Sequence, residues 1–212
     1  MLFNDFAKHL KYHLQQALPG ENEQLKMAPS SRKSSEYYFQ QNSHPQKSSV
    51  LILLYEKNNC IHTLLTLRST YKGVHSSQIS FPGGKIEEGE SIVEAAFRET
   101  NEEVGVPETE LELIGNLSSL FIPASNYIVN PVVARIINTP IFVRNEREVE
   151  QILEVSIHDL LDISKMSTKQ LETSYAGLVE APFYNFEEHH VWGATAMIIS
   201  EFNAVINRFF YG

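Results

Sequence analysis

Three carboxylates lie close together in this sequence, on Glu99, Glu102 and Glu103, shortly after a glycine-containing segment at residues 83–89. A helix turns about 100° per residue, so these three side chains would all point into one sector about 100° wide. Like charges at this spacing repel each other by a few tenths of a kcal/mol per pair, whereas a divalent cation would make the arrangement attractive. Oxygen-only ligands suit Mg²⁺ or Mn²⁺. The spacing therefore predicts a metal site on Glu99, Glu102 and Glu103.

The neighbouring residues predict the helix that would carry this site. Ala95 and Ala96 lie beside the carboxylates, and we expect their small size to leave space for a substrate over the metal. On the same helical wheel, a core-facing stripe forms on another side of the helix, made of Val93, Phe97, Thr100 and Val104.

The ends of this helix and its ion pairs can also be predicted. Arg98 lies four residues after Glu94 and four before Glu102, so we expect it to hold the cluster by ion pairing. Glu90 would fall on the far side of a longer helix, and we place it in the turn before the helix begins. Gly105 is expected to end the helix as its C-cap.

The full spacing over residues 84–106, Gly-x5-Glu-x7-Arg-Glu-x-x-Glu-Glu-x-Gly, resembles the Nudix box. This box is the signature of hydrolases that cleave nucleoside diphosphates linked to another group. Thr100 departs from the usual aliphatic residue, but its methyl group can still pack on the core side. The resemblance implies that Glu99, Glu102 and Glu103 bind the metal ions and that the loop at Gly83 and Gly84 cradles the diphosphate.

Segments outside the box resemble a narrower group, the coenzyme A pyrophosphatases. They are residues 64–69 and 75–85 just upstream, residues 18–20 with 27–29, and residues 191–196. This resemblance implies metal-dependent hydrolysis of coenzyme A or acyl-coenzyme A to 3′,5′-ADP and 4′-phosphopantetheine or its acyl form. Ser77 stands where the subfamily carries Gly, a departure that bears on the preference for coenzyme A more than on hydrolysis itself.

A diphosphate substrate needs cations and a general base. Arg68, Lys72 and Lys85 are the candidate cations, and Arg68 is preferred because it ends a strand that leads into the signature loop. His75 is expected to contact the substrate or to hold the loop.

The proton of the attacking water requires a base, and the sequence leaves the choice open. Glu103 is one candidate, and the other is Glu148, which opens a predicted strand and matches a position that is acidic in the subfamily. Glu102 is grouped with these two as a catalytic carboxylate.

Two other functions remain open on the sequence. One is a Nudix hydrolase of ADP-ribose, a dinucleotide or another nucleoside diphosphate derivative; the other is a non-catalytic Nudix ligand-binding module. The pair His189 and His190 lacks a suitably spaced third ligand, which disfavours a zinc site. Trp192 is interpreted as packing at the start of a helix rather than as a stacking platform.

Composition indicates one enzyme domain. The chain has 212 residues, is 42% hydrophobic and carries a formal net charge of −9. This charge argues against nucleic acid or an anionic membrane as a partner. The resemblance to the Nudix box implies a small nucleoside diphosphate derivative as the partner. We expect a single domain over residues 1–212, with an N-terminal helix and polar strap at 1–48. No secretory segment is recognised, so a cytoplasmic location is expected. Cys60 is alone and is interpreted as a packed, reduced thiol.

Strands interleaved with helices indicate the α/β class, here an α/β/α sandwich around a mixed β-sheet with a loop–helix–loop catalytic motif. An apolar N-terminal helix, packed on the domain or on a second subunit of a homodimer, is expected at residues 3–17. Residues 29–48 are expected to form a polar loop with a short strand at Tyr37-Tyr38-Phe39. Strands are predicted at 49–55 and 61–68, joined as a hairpin by a turn at Lys57-Asn58-Asn59. Further strands are predicted at 111–120, 129–137 and 149–155, and helices at 157–161 and 194–209.

Overall fold

The structure is a computed structural model that describes residues 2–40, 44–69, 78–173 and 177–211. Its helices are α1 (Phe3–Leu14), α2 (Glu21–Gln24), α3 (Ser35–Phe39), α4 (Ile92–Val104), α5 (Ile157–Leu161) and α6 (Gly193–Tyr211). The first strands are β1 (Gln46–Lys57), β2 (Cys60–Arg68), β3 (Ile79–Ser80), β4 (Gly83–Lys85), β5 (Glu112–Asn116) and β6 (Leu120–Ile122). The later strands are β7 (Tyr127–Arg135), β8 (Val149–Ser156), β9 (Met166–Thr173), β10 (Gly177–Phe186) and β11 (His189–Trp192).

Strand β1 lies at the centre of a mixed sheet. It pairs in parallel with β7, from Gln46 opposite Tyr127 to Leu54 opposite Arg135, and antiparallel with β2 and β4. β2 adds β3 and β8, and β7 adds β5 and β6, all antiparallel. The apolar run in β1 follows from this central position, because the strand is covered on both faces.

Each face of this sheet packs against a different helix layer. Leu51 and Leu53 lie in a core with α4, whereas Ile52 and Leu54 lie in the core that contains α1 and α6. This alternation is the period-2 pattern of a strand between two layers. The predicted α/β/α sandwich is therefore confirmed. Among the described residues, no helix combines the length and apolar character needed to cross a membrane.

The N-terminal helix packs on its own chain. Phe3, Phe6, Leu10 and Leu14 are buried in the core shared with α6. The helix ends at Leu14, earlier than the predicted residue 17.

The predicted hairpin between β1 and β2 is confirmed. Asn58 and Asn59 adopt φ of 52° and 60°, the left-handed conformation that Asn tolerates in a tight two-residue turn. Cys60 follows this turn and is exposed. The interpretation of Cys60 as a packed thiol is wrong, because the residue opens β2 at the solvent end of the hairpin.

Two sequence predictions fail in local structure. The strand predicted at Tyr37-Tyr38-Phe39 lies within helix α3, where the Ser34 hydroxyl accepts a hydrogen bond from the Tyr37 N–H and caps the helix. The strand predicted at 111–120 divides into β5 and β6, and the register of β5 shifts between Leu113 and Gly115.

A second sheet, with strand order β11-β10-β9, was not predicted. We call it the outer sheet. Pro182 obscures its central strand in the sequence, since proline cannot donate a ladder hydrogen bond. The backbone N–H and carbonyl of Glu180 point away from β9 and bond Ser30. Because backbone groups alternate in direction along a strand, the nitrogen of Pro182 also points away from β9. Pro182 is therefore tolerated without loss of a bond to β9.

Candidate active site

Helix α4 has the predicted position and ends. The Ser91 hydroxyl accepts a hydrogen bond from the Glu94 N–H, and the Glu94 carboxylate accepts one from the Ser91 N–H at 2.8 Å. Gly105 ends the helix at φ 74°, the left-handed C-cap expected from the sequence. The ion pair predicted between Arg98 and Glu94 is wrong, because Glu94 belongs to this capping box.

The prediction that Ala95 and Ala96 leave space for a substrate is wrong. Ala95 and Ala96 are fully buried, and Ala96 lies in the core against β1. Their small size brings the helix close to the sheet and leaves no space for a substrate there. Thr100 is also fully buried, and its hydroxyl donates to the Ala96 carbonyl at 2.7 Å. This bond satisfies the polar atom that replaces the usual aliphatic side chain.

Arg98 organises the acidic face of the helix. Its Nε lies 2.8 Å from Glu90 Oε1, and its Nη1 lies 2.9 Å from Glu99 Oε1 and 3.4 Å from Glu102 Oε2. Its Nη2 also donates to the Lys85 carbonyl at 3.1 Å. Arg98 thus joins β4, the turn before the helix and the carboxylate face.

The paired glycines of β4 are required by close contacts. A Cβ at Gly84 would lie 2.3 Å from Glu99 Oε1, and a Cβ at Gly83 would lie 2.3 Å from the Ser49 carbonyl. The Glu99 carboxylate therefore lies directly against the backbone of β4, and a side chain at residue 84 would displace it.

Glu103 is the most buried of the three predicted metal ligands, with 1% of its surface exposed. Arg68 Nη1 lies 3.2 Å from Glu103 Oε1, and the Thr66 hydroxyl donates to Oε2 at 3.4 Å. Burial raises the pKa of Glu103 to about 7, helped by the charges of Glu99 and Glu148 and opposed by Arg68. Thr66 was not predicted; its signal in the sequence is its position two residues before Arg68, on the same side of β2.

The other acidic residues are more accessible. The Glu102 side chain is 52% exposed, and the Glu99 side chain is 14% exposed. Burial raises the pKa of Glu99 against the opposing effect of Arg98, and the charges of Glu102 and Glu148 raise it further. Glu148 is exposed just before β8, and Asn145 Nδ2 donates to its Oε1 at 3.3 Å. The negative charge of Glu148 therefore acts on both Glu99 and Glu103 and raises the pKa of each.

This set of carboxylates suits a divalent cation by its chemistry. Glu99, Glu102 and Glu103 offer oxygen atoms only. Burial raises the pKa of Glu99 and Glu103, and the negative charges of neighbouring carboxylates raise it further, a charge that a cation would relieve. Over residues 2–40, 44–69, 78–173 and 177–211, no three metal-binding side chains converge on one point. Arg68 holds Glu103 and Arg98 holds Glu99 in ion pairs.

A cavity of about 520 Å³ adjoins the acidic cluster on the α6 face of the sheet. Arg68, Gly83, Gly84 and Lys85, all predicted to contact the substrate, line this cavity. Lys85 is exposed and makes no ion pair in the part of the chain that the structure describes. Predictions for Lys72, His75 and Ser77 lie outside the described residues.

The cavity also includes residues that were not among the predicted substrate contacts. Ser80, Tyr127 and Glu172 line it, as does Trp192 together with Gly193, Ala194 and Thr195. Trp192 is only partly buried, so its assignment to packing alone is incomplete. The sequence does not show that these residues share a cavity with β4, because β9, β11 and α6 lie more than 80 residues after β4 in the chain.

The α/β/α sandwich and the position of its loop–helix motif are those expected of a Nudix protein. Comparison with known proteins confirms this family. The profile of the NUDIX domain matches residues 45–176, and the chain belongs to this family. An uncharacterized Nudix hydrolase NudL of Yersinia pestis is 32% identical over 138 residues, covering 64% of this chain and 68% of that protein. The chain is therefore a pyrophosphohydrolase of nucleoside diphosphate derivatives, in a family that generally uses divalent metal ions.

Solved structures agree on the fold. A MutT/nudix family protein from Enterococcus faecalis has a TM-score of 0.53 at 18% identity, covering 91% of this chain and 76% of that chain. A binary complex of C. elegans Ap4A hydrolase has a TM-score of 0.51 at 18% identity, covering 77% of this chain and 99% of that chain. At these identities the likeness concerns architecture alone.

Proposed function

We propose that this protein hydrolyses the diphosphate bond of coenzyme A or acyl-coenzyme A, releasing 3′,5′-ADP and 4′-phosphopantetheine or its acyl form. One observation carries the proposal. Residues 79–81 and 83–85 line the same cavity as residues 192–195, although the two segments lie more than 100 residues apart. Both belong to segments that separately resemble coenzyme A pyrophosphatases, so the fold joins two independent sequence signals in one space.

In this proposal Glu99, Glu102 and Glu103 hold Mg²⁺ or Mn²⁺. A divalent ion held by these residues would neutralise the charge of the diphosphate and make the attacking water more acidic. Arg68 and Lys85 bind phosphate oxygens from the cavity side.

Glu103 and Glu148 are the two candidate bases. Glu103 is buried within the carboxylate cluster beside Arg68, whereas Glu148 has direct access to solvent. The pH–rate profiles of Glu103→Gln and Glu148→Gln separate them, because loss of the base removes the acidic limb and lowers the maximum rate.

Product analysis tests the proposal. The purified protein is stripped with EDTA, supplied with Mg²⁺ or Mn²⁺, and incubated with coenzyme A, and the products are separated by chromatography. We expect 3′,5′-ADP from the native protein and a rate lower by at least about 100-fold in Glu103→Gln. Glu108→Gln is the matched control, since Glu108 is exposed beyond the end of α4 and should retain full activity.

Other outcomes have defined meanings. Hydrolysis of ADP-ribose or a dinucleotide without cleavage of coenzyme A would overturn the proposed substrate and retain the reaction. Equal rates of hydrolysis of coenzyme A and dephospho-coenzyme A would show that the protein does not recognise the 3′-phosphate. Thermal stabilisation by coenzyme A with no product from any diphosphate would identify a binding module.

A further inference from the structure

A tight turn at residues 145–148 carries Glu148 to the start of β8. The N–H groups of Glu148 and Val149 both donate to the Asn145 carbonyl, at 3.0 and 2.8 Å. The Asn145 side chain adds a further bond, because its Oδ1 accepts from the Arg147 N–H at 3.2 Å. Asn145 therefore organises the turn through its backbone and through its side chain.

The turn is fastened to the two elements that also hold Glu103. The Asn145 N–H donates at 2.9 Å to the Glu103 carbonyl, which lies in the last turn of α4 and has no partner within the helix. The Glu148 carbonyl accepts from the Ser69 N–H at 2.9 Å. Ser69 directly follows Arg68, whose Nη1 lies 3.2 Å from Glu103 Oε1. Both the backbone and the carboxylate of Glu103 are thus linked to the backbone that carries Glu148.

These links place the Glu148 carboxylate near the acidic cluster but leave its side chain exposed. Its negative charge raises the pKa of both Glu99 and Glu103, so the carboxylate lies within electrostatic reach of them. Among the described residues, its hydrogen bond comes from Asn145 Nδ2, at 3.3 Å from Glu148 Oε1. An exposed glutamate has considerable rotamer freedom, and this bond favours one orientation.

We propose that Asn145 is a positioning residue that holds the Glu148 carboxylate beside Glu99 and Glu103, where Glu148 takes part in hydrolysis. Asn145 does not line the cavity and acts through Glu148. This inference rests on one part of the proposed function, the participation of Glu148, and does not require coenzyme A to be the substrate.

The plainer interpretation is that Asn145 only forms a turn, which is a common use of asparagine. The two atoms of its amide separate these interpretations. Oδ1 holds the turn through Arg147, whereas Nδ2 holds Glu148. Asn145→Asp keeps an acceptor for the Arg147 N–H and replaces the donor by a negatively charged oxygen that repels Glu148.

Steady-state kinetics of Asn145→Asp give the first test, with saturating Mg²⁺ or Mn²⁺. We expect kcat to fall about tenfold with KM within about twofold, because the carboxylate is displaced while the cavity is unchanged. Asn138→Asp is the matched control, since it adds the same charge at an exposed position in the loop after β7 and should retain kcat. An unchanged kcat in Asn145→Asp would overturn the inference.

A double-mutant cycle gives the second test and excludes a purely structural role. Asn145→Ala is compared in the native background and in the Glu148→Ala background. We expect a loss of kcat of about tenfold in the first and of less than about twofold in the second, where the group to be positioned is gone. Equal losses in both backgrounds would assign Asn145 to the structure of the turn alone.

The two proposals can fail separately. If coenzyme A is not cleaved but another nucleoside diphosphate derivative is, the proposed substrate is wrong, and a non-additive cycle on that derivative still supports the role of Asn145. If coenzyme A is cleaved and Glu148→Ala retains full kcat, the proposed reaction holds and the inference about Asn145 is overturned.

Discussion

Helix α4 and the outer sheet both adjoin the cavity, but contacts of very different range hold them in place. Arg98 reaches Glu90, 8 residues away, and the Lys85 carbonyl, 13 residues away. The outer sheet depends on Ser30, 150 residues from Glu180, and on Arg32, 89 residues from Phe121. The part of the acidic cluster held by Arg98 is thus encoded locally, whereas the shape of the substrate space depends on distant parts of the chain. Changes near α4 should therefore alter turnover, and changes near the outer sheet should alter stability or KM.

The largest expected effect concerns the protonation of Glu103. Its pKa rises from 4.5 to about 7 on folding, so the folded state binds the proton more tightly and loses stability as pH rises through this range. In EDTA, the free energy of unfolding should fall by up to about 3 kcal/mol more in the native protein than in Glu103→Gln between pH 4.5 and 8. Urea denaturation at several pH values measures this difference. Parallel pH profiles would show that Glu103 ionises normally.

Gly84→Ala tests the local geometry of the cluster. The added Cβ would displace the Glu99 carboxylate, and a shift of about 1 Å in a catalytic group can lower kcat about 100-fold. Gly89→Ala is the control, since its Cβ meets nothing within 4 Å although φ is 83°. Both variants should lose some stability, and only Gly84→Ala should lose turnover. Equal kcat values would mean that Glu99 tolerates displacement.

Glu201 on α6 tests whether a long-range contact outside the outer sheet also affects stability and not turnover. This fully buried carboxylate accepts hydrogen bonds from the Gly20 N–H, the Ser118 N–H and Gln24 Nε2 at 3.1, 3.2 and 2.8 Å. In Glu201→Gln one acceptor becomes a donor, and a compensating flip of Gln24 would break its bond to the Ser118 carbonyl. We expect a loss of about 2 kcal/mol in unfolding free energy with kcat unchanged.

Glu23→Gln is the control for this variant, because its short-range ion pair is with Lys26, whose side chain is 61% exposed, and such a pair contributes little. A large loss of kcat in Glu201→Gln at temperatures where the protein remains folded would contradict the view that such long-range contacts do not affect turnover.

Arg32→Ala should have the smallest effect. It removes the bond to the Phe121 carbonyl and the stacking of the guanidinium 5.1 Å from the Tyr38 ring. We expect a loss of about 1 kcal/mol in stability and a rise of a few-fold in KM for coenzyme A, without a change in kcat. Steady-state kinetics and thermal denaturation measure both, with the exposed neighbour Lys33→Ala as control. A fall in kcat at constant KM would contradict the assignment of Arg32 to cavity shape.

The range of contacts also explains what the sequence could predict. The period of α4, the Gly105 cap and the Asn58-Asn59 turn depend on residues within one or two turns of each other, and the structure confirms them. The roles of Ala95 and Ala96 were misassigned, because a helical wheel does not show how closely a helix approaches a sheet.

Long-range pairing was not predictable in the same way. The sequence selected Arg68 and Glu103 separately, but their ion pair depends on how β2 lies against α4. The outer sheet escaped prediction because β10 contains Pro182 and completes its hydrogen bonds with Ser30 near the N-terminus. Glu172 therefore carried no signal of a place in the cavity.

The exposure of Cys60 has a practical consequence. It is the chain's only cysteine, it is accessible at the tip of the β1–β2 hairpin, and it does not line the cavity. A maleimide dye or a biotin tag would therefore attach at one defined position on the unmodified sequence. Surface immobilisation or single-molecule labelling of this hydrolase requires no engineered thiol.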